Sequence, residues 1–428
     1  MKKILKLIAL TAAASGLMSL PLMAASGDAF LLRGATIHPV TSADIPNGDL
    51  LVRDGKIVGV GAKLSAPKGV RIIEVRGLHV YPGMIDSATE MGLTEIGAVR
   101  ETNDSNEMGN FNPQLRAAIA VNPASEHIPV TRANGITSVM TLPQGTMLAG
   151  QAALIHLDGW TTEEMAVLPD AAMILEFPVI QTARGRFFRS THVPYAEAKK
   201  TYEEHIQELE DFFESARRYE KAKQAKEPGF TTDLKFEAML PVLDGKVPLV
   251  VEAVREKPIR EAIRFADKEK VRMVIAHGEE AWKVAGDLKA RNIPVVLGPT
   301  LELPLDEDDP YDRLFSAPAE LSKAGVKIAF GTFNTSQSRN LPYQAAAAVA
   351  FGLPHEEALK SVTLYPAQIW GVADKIGSIG EGKWADLIVT DGDPLETQTQ
   401  VKQLFIKGKP VDLDNKQKRL YEKYLNRP

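Results

Sequence analysis

After the first twenty-nine residues, the chain opens with short apolar runs of strand character: Phe30-Leu31-Leu32, Asp49-Leu50-Leu51-Val52 and Lys56-Ile57-Val58-Gly59-Val60. Asp54-Gly55 separates the last two. Both central positions of a tight hairpin turn favour positive φ, so this pair predicts a β-hairpin. A second group of strand-like runs lies far along the chain, at Ala385-Asp386-Leu387-Ile388-Val389 and Val401-Lys402-Gln403-Leu404-Phe405-Ile406, with Lys407-Gly408-Lys409-Pro410 as the turn after it. Between the two groups, β-branched runs alternate with helical stretches, the pattern of a parallel sheet wrapped by helices. The strands are expected around Ser138, Leu175, Val250, Ile275, Val295 and Ile328, with helices from Lys257 to Lys268, Glu279 to Arg291 and Pro318 to Ala324. This order predicts a (β/α)8 TIM barrel, a fold whose chemistry sits at the carboxyl ends of the strands. Tyr195 to Lys226 breaks the rhythm: its dense Glu, Lys, Arg and Gln read as a long helix inserted between barrel units, a solvated flank. Asn415 to Arg427 reads as a basic amphipathic tail expected to dock through Leu420, Tyr421, Tyr424 and Leu425.

Composition narrows the setting. With 428 residues the chain has room for one large domain and a smaller one, and 44% apolar residues suit a soluble globular protein. Residues 1–25 have a basic start, an apolar stretch broken by Ser15, Gly16 and Pro21, and small residues at Ala24 and Ala25, as in a signal peptide. The net charge of −5 becomes about −8 without Lys2, Lys3 and Lys6, which gives no reason to expect a nucleic-acid partner. There is no cysteine, hence neither a disulfide nor a lipid-anchored N-terminal cysteine. A periplasmic protein without a membrane span after processing is expected.

The segment Tyr81-Pro82-Gly83-Met84-Ile85-Asp86 resembles the first barrel strand of the amidohydrolase superfamily. Gly377-Ser378-Ile379 through Gly382-Lys383-Trp384-Ala385-Asp386-Leu387 resembles the superfamily signature where the chain re-enters its sandwich, and the stretch from Glu356 to Val372 is similar to the last barrel helix of the imidazolonepropionase-like branch. The resemblance implies a composite β-sandwich made by both chain ends. It divides the chain into a signal peptide at 1–25, sandwich at 26–80, barrel at 81–375, sandwich again at 376–412 and a tail at 413–428. It also implies hydrolysis of non-peptide or dipeptide-like carbon–nitrogen bonds, with a divalent metal that brings the pKa of bound water near neutrality and a carboxylate that relays the proton.

The residues depart from that pattern. Where the superfamily has His-x-His on strand one, this chain has Ala88 and Glu90; Glu252 stands for the histidine of strand five and Phe333 for the aspartate of strand eight, while His277 keeps the histidine of strand six. Ile174 or Glu176 falls near the bridging position of strand four. Two readings stay open. In one, Glu90, Glu252 and His277 are both catalytic residues and ligands of a single Zn²⁺ or Mn²⁺, a chemically sound donor set. In the other, Phe333 fills the site, no metal binds, and the protein is a non-catalytic relative that binds a small molecule or serves as partner subunit of an active paralogue. A homo-oligomer is compatible with either.

Other polar groups carry less. Glu95, Arg100, Glu101, Asn103, Asp104, Asn106 and Glu107 occupy the loop after strand one, expected to be solvated. Arg184, Arg186 and Arg189 beside Phe187 and Phe188 would suit an anion if they faced the barrel, though a surface location is expected. The run Asp306 to Asp309 is expected in solvent, and His205 and His355 lack metal-ligand spacing.

Overall fold

The structure, a computed structural model, describes residues 29–184, 191–226 and 228–427. The expected signal peptide, together with Arg186 and Arg189, lies outside the described residues. Strands β1 (Phe30–Ile37), β2 (Ile45–Arg53) and β3 (Lys56–Gly61) form an antiparallel meander, followed by β4 (Arg71–Glu74) and β5 (His79–Pro82). Asp54 and Gly55 take φ of 51° and 75°, the left-handed pair the hairpin turn requires. The front half of β1 pairs parallel with β4, and its end pairs with β5, so one strand serves two layers.

From β5 the chain enters the barrel through β6 (Met84–Thr89), β7 (Ile136–Thr141), β8 (Leu148–His156) and β9 (Ala166–Glu176). A two-stranded hairpin, β10 (Ala183–Arg184) and β11 (Thr191–His192), precedes β12 (Leu249–Ala253), β13 (Met273–His277), β14 (Val295–Leu297) and β15 (Ile328–Phe330). The barrel sheet runs β15-β14-β13-β12-β9-β8-β7-β6, and β15 comes back alongside β6 to nearly close it. One strand departs from the expected alternation: β8 is antiparallel to both β7 and β9. Its connections explain this. Residues 142–147 form a short link, and a single-turn helix, Thr162–Met165, precedes β9; neither is long enough for a crossover between parallel strands.

Strands β16 (Leu387–Thr390), β17 (Val401–Ile406) and β18 (Lys409–Pro410) return to the first sheet, where β16 pairs with β5. The composite sandwich expected from both chain ends is thus present. Phe30 and Phe405, from the two distant segments, stack at 4.7 Å in its core.

Two expectations about helices need correction. The helix Tyr195–Ala225 is more than a solvated flank: Leu209, Phe213 and Ala216 are fully buried, and Phe213 meets Phe265 edge-on at 5.1 Å in the main core. Its charge density hid a narrow apolar stripe. The helix Lys416–Leu425, expected to dock on the domain, buries none of its residues. Nothing in the described fold covers it.

Candidate functional site

Parallel strands deliver their last residues to one end of the barrel. Thr89 closes β6 and Glu90 follows it; Glu176 closes β9; Glu252 stands one residue before the end of β12, in register with Glu176 on the neighbouring strand. The two carboxyl groups thus belong to neighbouring positions on adjacent strand ends. Glu252 is pushed up to about 7, first by desolvation and then by the negative charges of Glu176 and Glu90. Burial also raises Glu176, though it stands more open at the rim. Glu252, Glu176 and His277 line a cavity of about 940 Å³ whose walls include Phe177, Val179 and Ile180.

Glu90 is engaged elsewhere. Gln144 Nε2 donates to one of its carboxylate oxygens at 2.7 Å and Thr94 Oγ1 to the other at 2.8 Å. His277, at the end of β13, lies with Nδ1 3.1 Å from the carbonyl oxygen of Gly298, so Nδ1 carries the proton and Nε2 the lone pair. Burial pushes its pKa down to about 4, which keeps the ring neutral at pH 7. The Phe333 ring lies on the imidazole, with centroids 3.9 Å apart and planes inclined by 23°.

Phe333 is held there against its backbone preference. Its φ of 51° is the left-handed region, uncommon for a bulky residue. Its amide donates to the Ala88 carbonyl at 2.7 Å, tying the turn after β15 to β6. The space is full: a Cβ added at Gly331 would stand 2.7 Å from Ala88 Cβ and 3.0 Å from Phe333 Cε2. Directly below, Asp86 is completely buried and accepts from Thr332 N at 3.0 Å, Thr332 Oγ1 at 2.5 Å and Ala88 N at 3.3 Å. Burial pushes Asp86 up to about 7 against these hydrogen bonds. Ser338 and Thr89 extend the network, with their hydroxyls 2.7 Å apart. Sequence reasoning used Asp86 only as part of a motif. The available signal was an acid inside a six-residue strand that is buried throughout.

The superfamily's metal can be tested against these donors. Both oxygens of Glu90 already accept hydrogen bonds, from Gln144 and Thr94, and Ala88 offers no ligand atom. Among the described residues no group of three or more His, Asp, Glu or Cys side chains is arranged to hold a metal ion. The expected ligands Glu90, Glu252 and His277 are brought to the same end of the barrel without forming a metal-binding set.

The remaining polar groups serve structure. Arg255 makes a paired contact with Asp306, at 2.6 and 2.8 Å, and Asp309 accepts from the Asp306 amide, so the acidic run is anchored at both ends with Glu307 and Asp308 exposed between them. Glu95 accepts from the amide of Glu126 and organises the loop after β6. His355 is paired with Asp393, away from the barrel mouth, and His205 borders a smaller recess beside Glu176.

Comparison with known proteins agrees with this architecture. The model of the amidohydrolase family matches residues 190–411. The amidohydrolase tasK of Hapsidospora irregularis is 24% identical over 392 residues; the match covers 84% of this chain but only 39% of tasK. An imidazolonepropionase from Caldanaerobacter subterraneus subsp. tengcongensis is 23% identical over 387 residues, covering 82% of this chain and 86% of that protein. The crystal structure of an amidohydrolase from Thermotoga maritima MSB8 superposes with a TM-score of 0.77 at 31% identity, covering 90% of this chain and 99% of the other. With its barrel, its composite sandwich and a family match over half its length, the chain belongs to the amidohydrolase family.

Proposed function

We propose that this protein hydrolyses a carbon–nitrogen bond of a small molecule at the barrel mouth, using the Glu252 and Glu176 carboxyl pair in place of a metal-held water. The observation that carries the reading is the register of these two glutamates at adjacent strand ends, with Glu252 held to about 7. Burial and the negative charge of Glu176 keep Glu252 protonated up to about 7, because like charges at neighbouring strand ends oppose joint ionisation. The protonated member donates to the substrate carbonyl oxygen, and the ionised member takes a proton from the attacking water. Water oxygen bonds to the carbonyl carbon. As the carbon–nitrogen bond breaks, the proton taken from water passes to the leaving nitrogen, and the protonated carbonyl oxygen returns its proton to the carboxylate that donated it as the C=O bond re-forms. The pair ends with one proton, as it began. Neutral His277, whose Nε2 can only accept, is suited to orienting a donor group of the substrate.

A panel of small amides, ureas and cyclic amides, assayed with and without chelator, tests this. Turnover insensitive to chelation, lost in both Glu252→Gln and Glu176→Gln, is expected. The rate should fall as pH rises through about 7, where Glu252 gives up its proton. Turnover that requires added Zn²⁺ or Mn²⁺, with stoichiometric metal by elemental analysis, would replace this reading with the single-metal one.

The stacking of Phe333 on His277 favours a second reading, a non-catalytic protein that binds a small molecule or supports an active paralogue. Ligand binding without turnover across the panel would select it.

A further inference from the structure

Every residue from Lys416 to Arg427 is exposed, including Leu420 at 39%, Tyr421 at 66%, Tyr424 at 56% and Leu425 at 66%. The helix Lys416–Leu425 is secured only at its start: Asn415 Oδ1 accepts from the Lys418 amide at 3.0 Å, and Arg419 pairs with Asp414 at 2.8 Å. Isolated helices of about ten residues are marginal in water and depend on packing of one face. Here that packing has to come from outside the fold.

The faces say what kind of surface fits. At 3.6 residues per turn, Leu420, Tyr424, Tyr421 and Leu425 share an arc of roughly 140° that Gln417, in the first turn, is alone in interrupting. Lys416 and Lys423 border one edge of that arc and Lys418 the other. Lys423 Nζ and the Arg427 guanidinium lie 5.9 and 5.7 Å from the Tyr424 ring centre, placing cations beside an aromatic ring at the polar boundary. Residues 416–427 hold five cations and one acid, Glu422, in a chain whose net charge is −5. The segment therefore concentrates positive charge on an otherwise acidic protein.

We propose that this helix is an interfacial element that rests on an anionic lipid surface, with its apolar arc turned into the headgroup boundary and Lys416, Lys418 and Lys423 level with the phosphates. Basic flanks around Leu and Tyr are the arrangement such helices use. A second copy of the chain fits less well: a helix about 15 Å long cannot by itself supply the roughly 800 Å² per partner of a stable protein interface. Among the described residues no helix is long and apolar enough to cross a membrane, so the contact proposed is peripheral.

The test is sedimentation of the full chain with vesicles of phosphatidylcholine alone and of equimolar phosphatidylcholine and phosphatidylglycerol. Binding to the anionic vesicles, at least about tenfold weaker on the neutral ones and in high salt, is expected. The double variants Leu420→Ser/Leu425→Ser and Lys416→Glu/Lys423→Glu should each weaken it about tenfold while leaving thermal unfolding unchanged, because both sets lie in solvent. Equal sedimentation with and without vesicles, or wild-type binding by both variants, overturns the proposal. So does a dimer in lipid-free equilibrium sedimentation that the serine variant abolishes, which would assign the face to a second copy.

Discussion

Phe333 concentrates the chemistry of the site in one side chain. Its backbone sits in a region that costs a bulky residue on the order of 1–3 kcal/mol, and two hydrogen bonds from Thr332 to Asp86 on the facing strand keep the turn in place. The ring desolvates His277, so Phe333→Ala should let water reach the imidazole and move its titration up from about 4 towards the ordinary histidine range. A proton NMR titration of the His277 ring checks this; an unchanged midpoint would show that other neighbours cause the shift. Glu252 and His277 were legible in the sequence because the family resemblance assigns ligand positions to the ends of those two strands. The contact of Phe333 with Ala88 was not, since nothing in either local pattern records which distant turn lies over which strand.

At the scale of elements, the helix Tyr195–Ala225 offers a clear contrast. Phe213 is fully buried against Phe265, whereas Glu214, the next residue, lies on the outer face with its partner Arg218. Phe213→Ala should cost about 3–5 kcal/mol in urea unfolding, and Glu214→Ala within about 0.5 kcal/mol. Similar small effects would mean the helix is a detachable flank after all. The hairpin at Asp54-Gly55 could be read directly because turn chemistry is local. Strand β8 could not: Leu148-Ala149-Gly150-Gln151-Ala152-Ala153 has two-sided burial and little alternation, so period-2 reasoning finds no strand there.

For the whole molecule, two buried acids set a pH dependence. Asp86 and Glu252 are both raised to about 7 in the folded protein, against ordinary values of 3.8 and 4.5. The folded state holds their protons where the unfolded state has released them. Their contribution to stability is full below about pH 4 and is lost as pH rises through about 7. Urea midpoints should therefore decline between about pH 4.5 and 7, and the decline should flatten in an Asp86→Asn/Glu252→Gln double variant. A slope unchanged by that substitution would place its origin in other groups. The two-layer architecture and the family were readable from motifs at both ends of the chain, while the state of the site depended on how the barrel closes on itself.

The reversed strand β8 decides what one histidine can be used for. Had it run with its neighbours, its final residue would have emerged at the mouth among the glutamates. Running the other way, it delivers His156 to the opposite end of the barrel, beside Ser138 at the base of β7 and under the sandwich. There His156 Nε2 meets Asp386 Oδ2 at 2.7 Å, with both side chains withdrawn from solvent. Chain direction has turned a metal-ligating type of residue into a bolt between two layers. Replacing it would loosen how the sandwich seats on the barrel without touching any atom that meets a substrate.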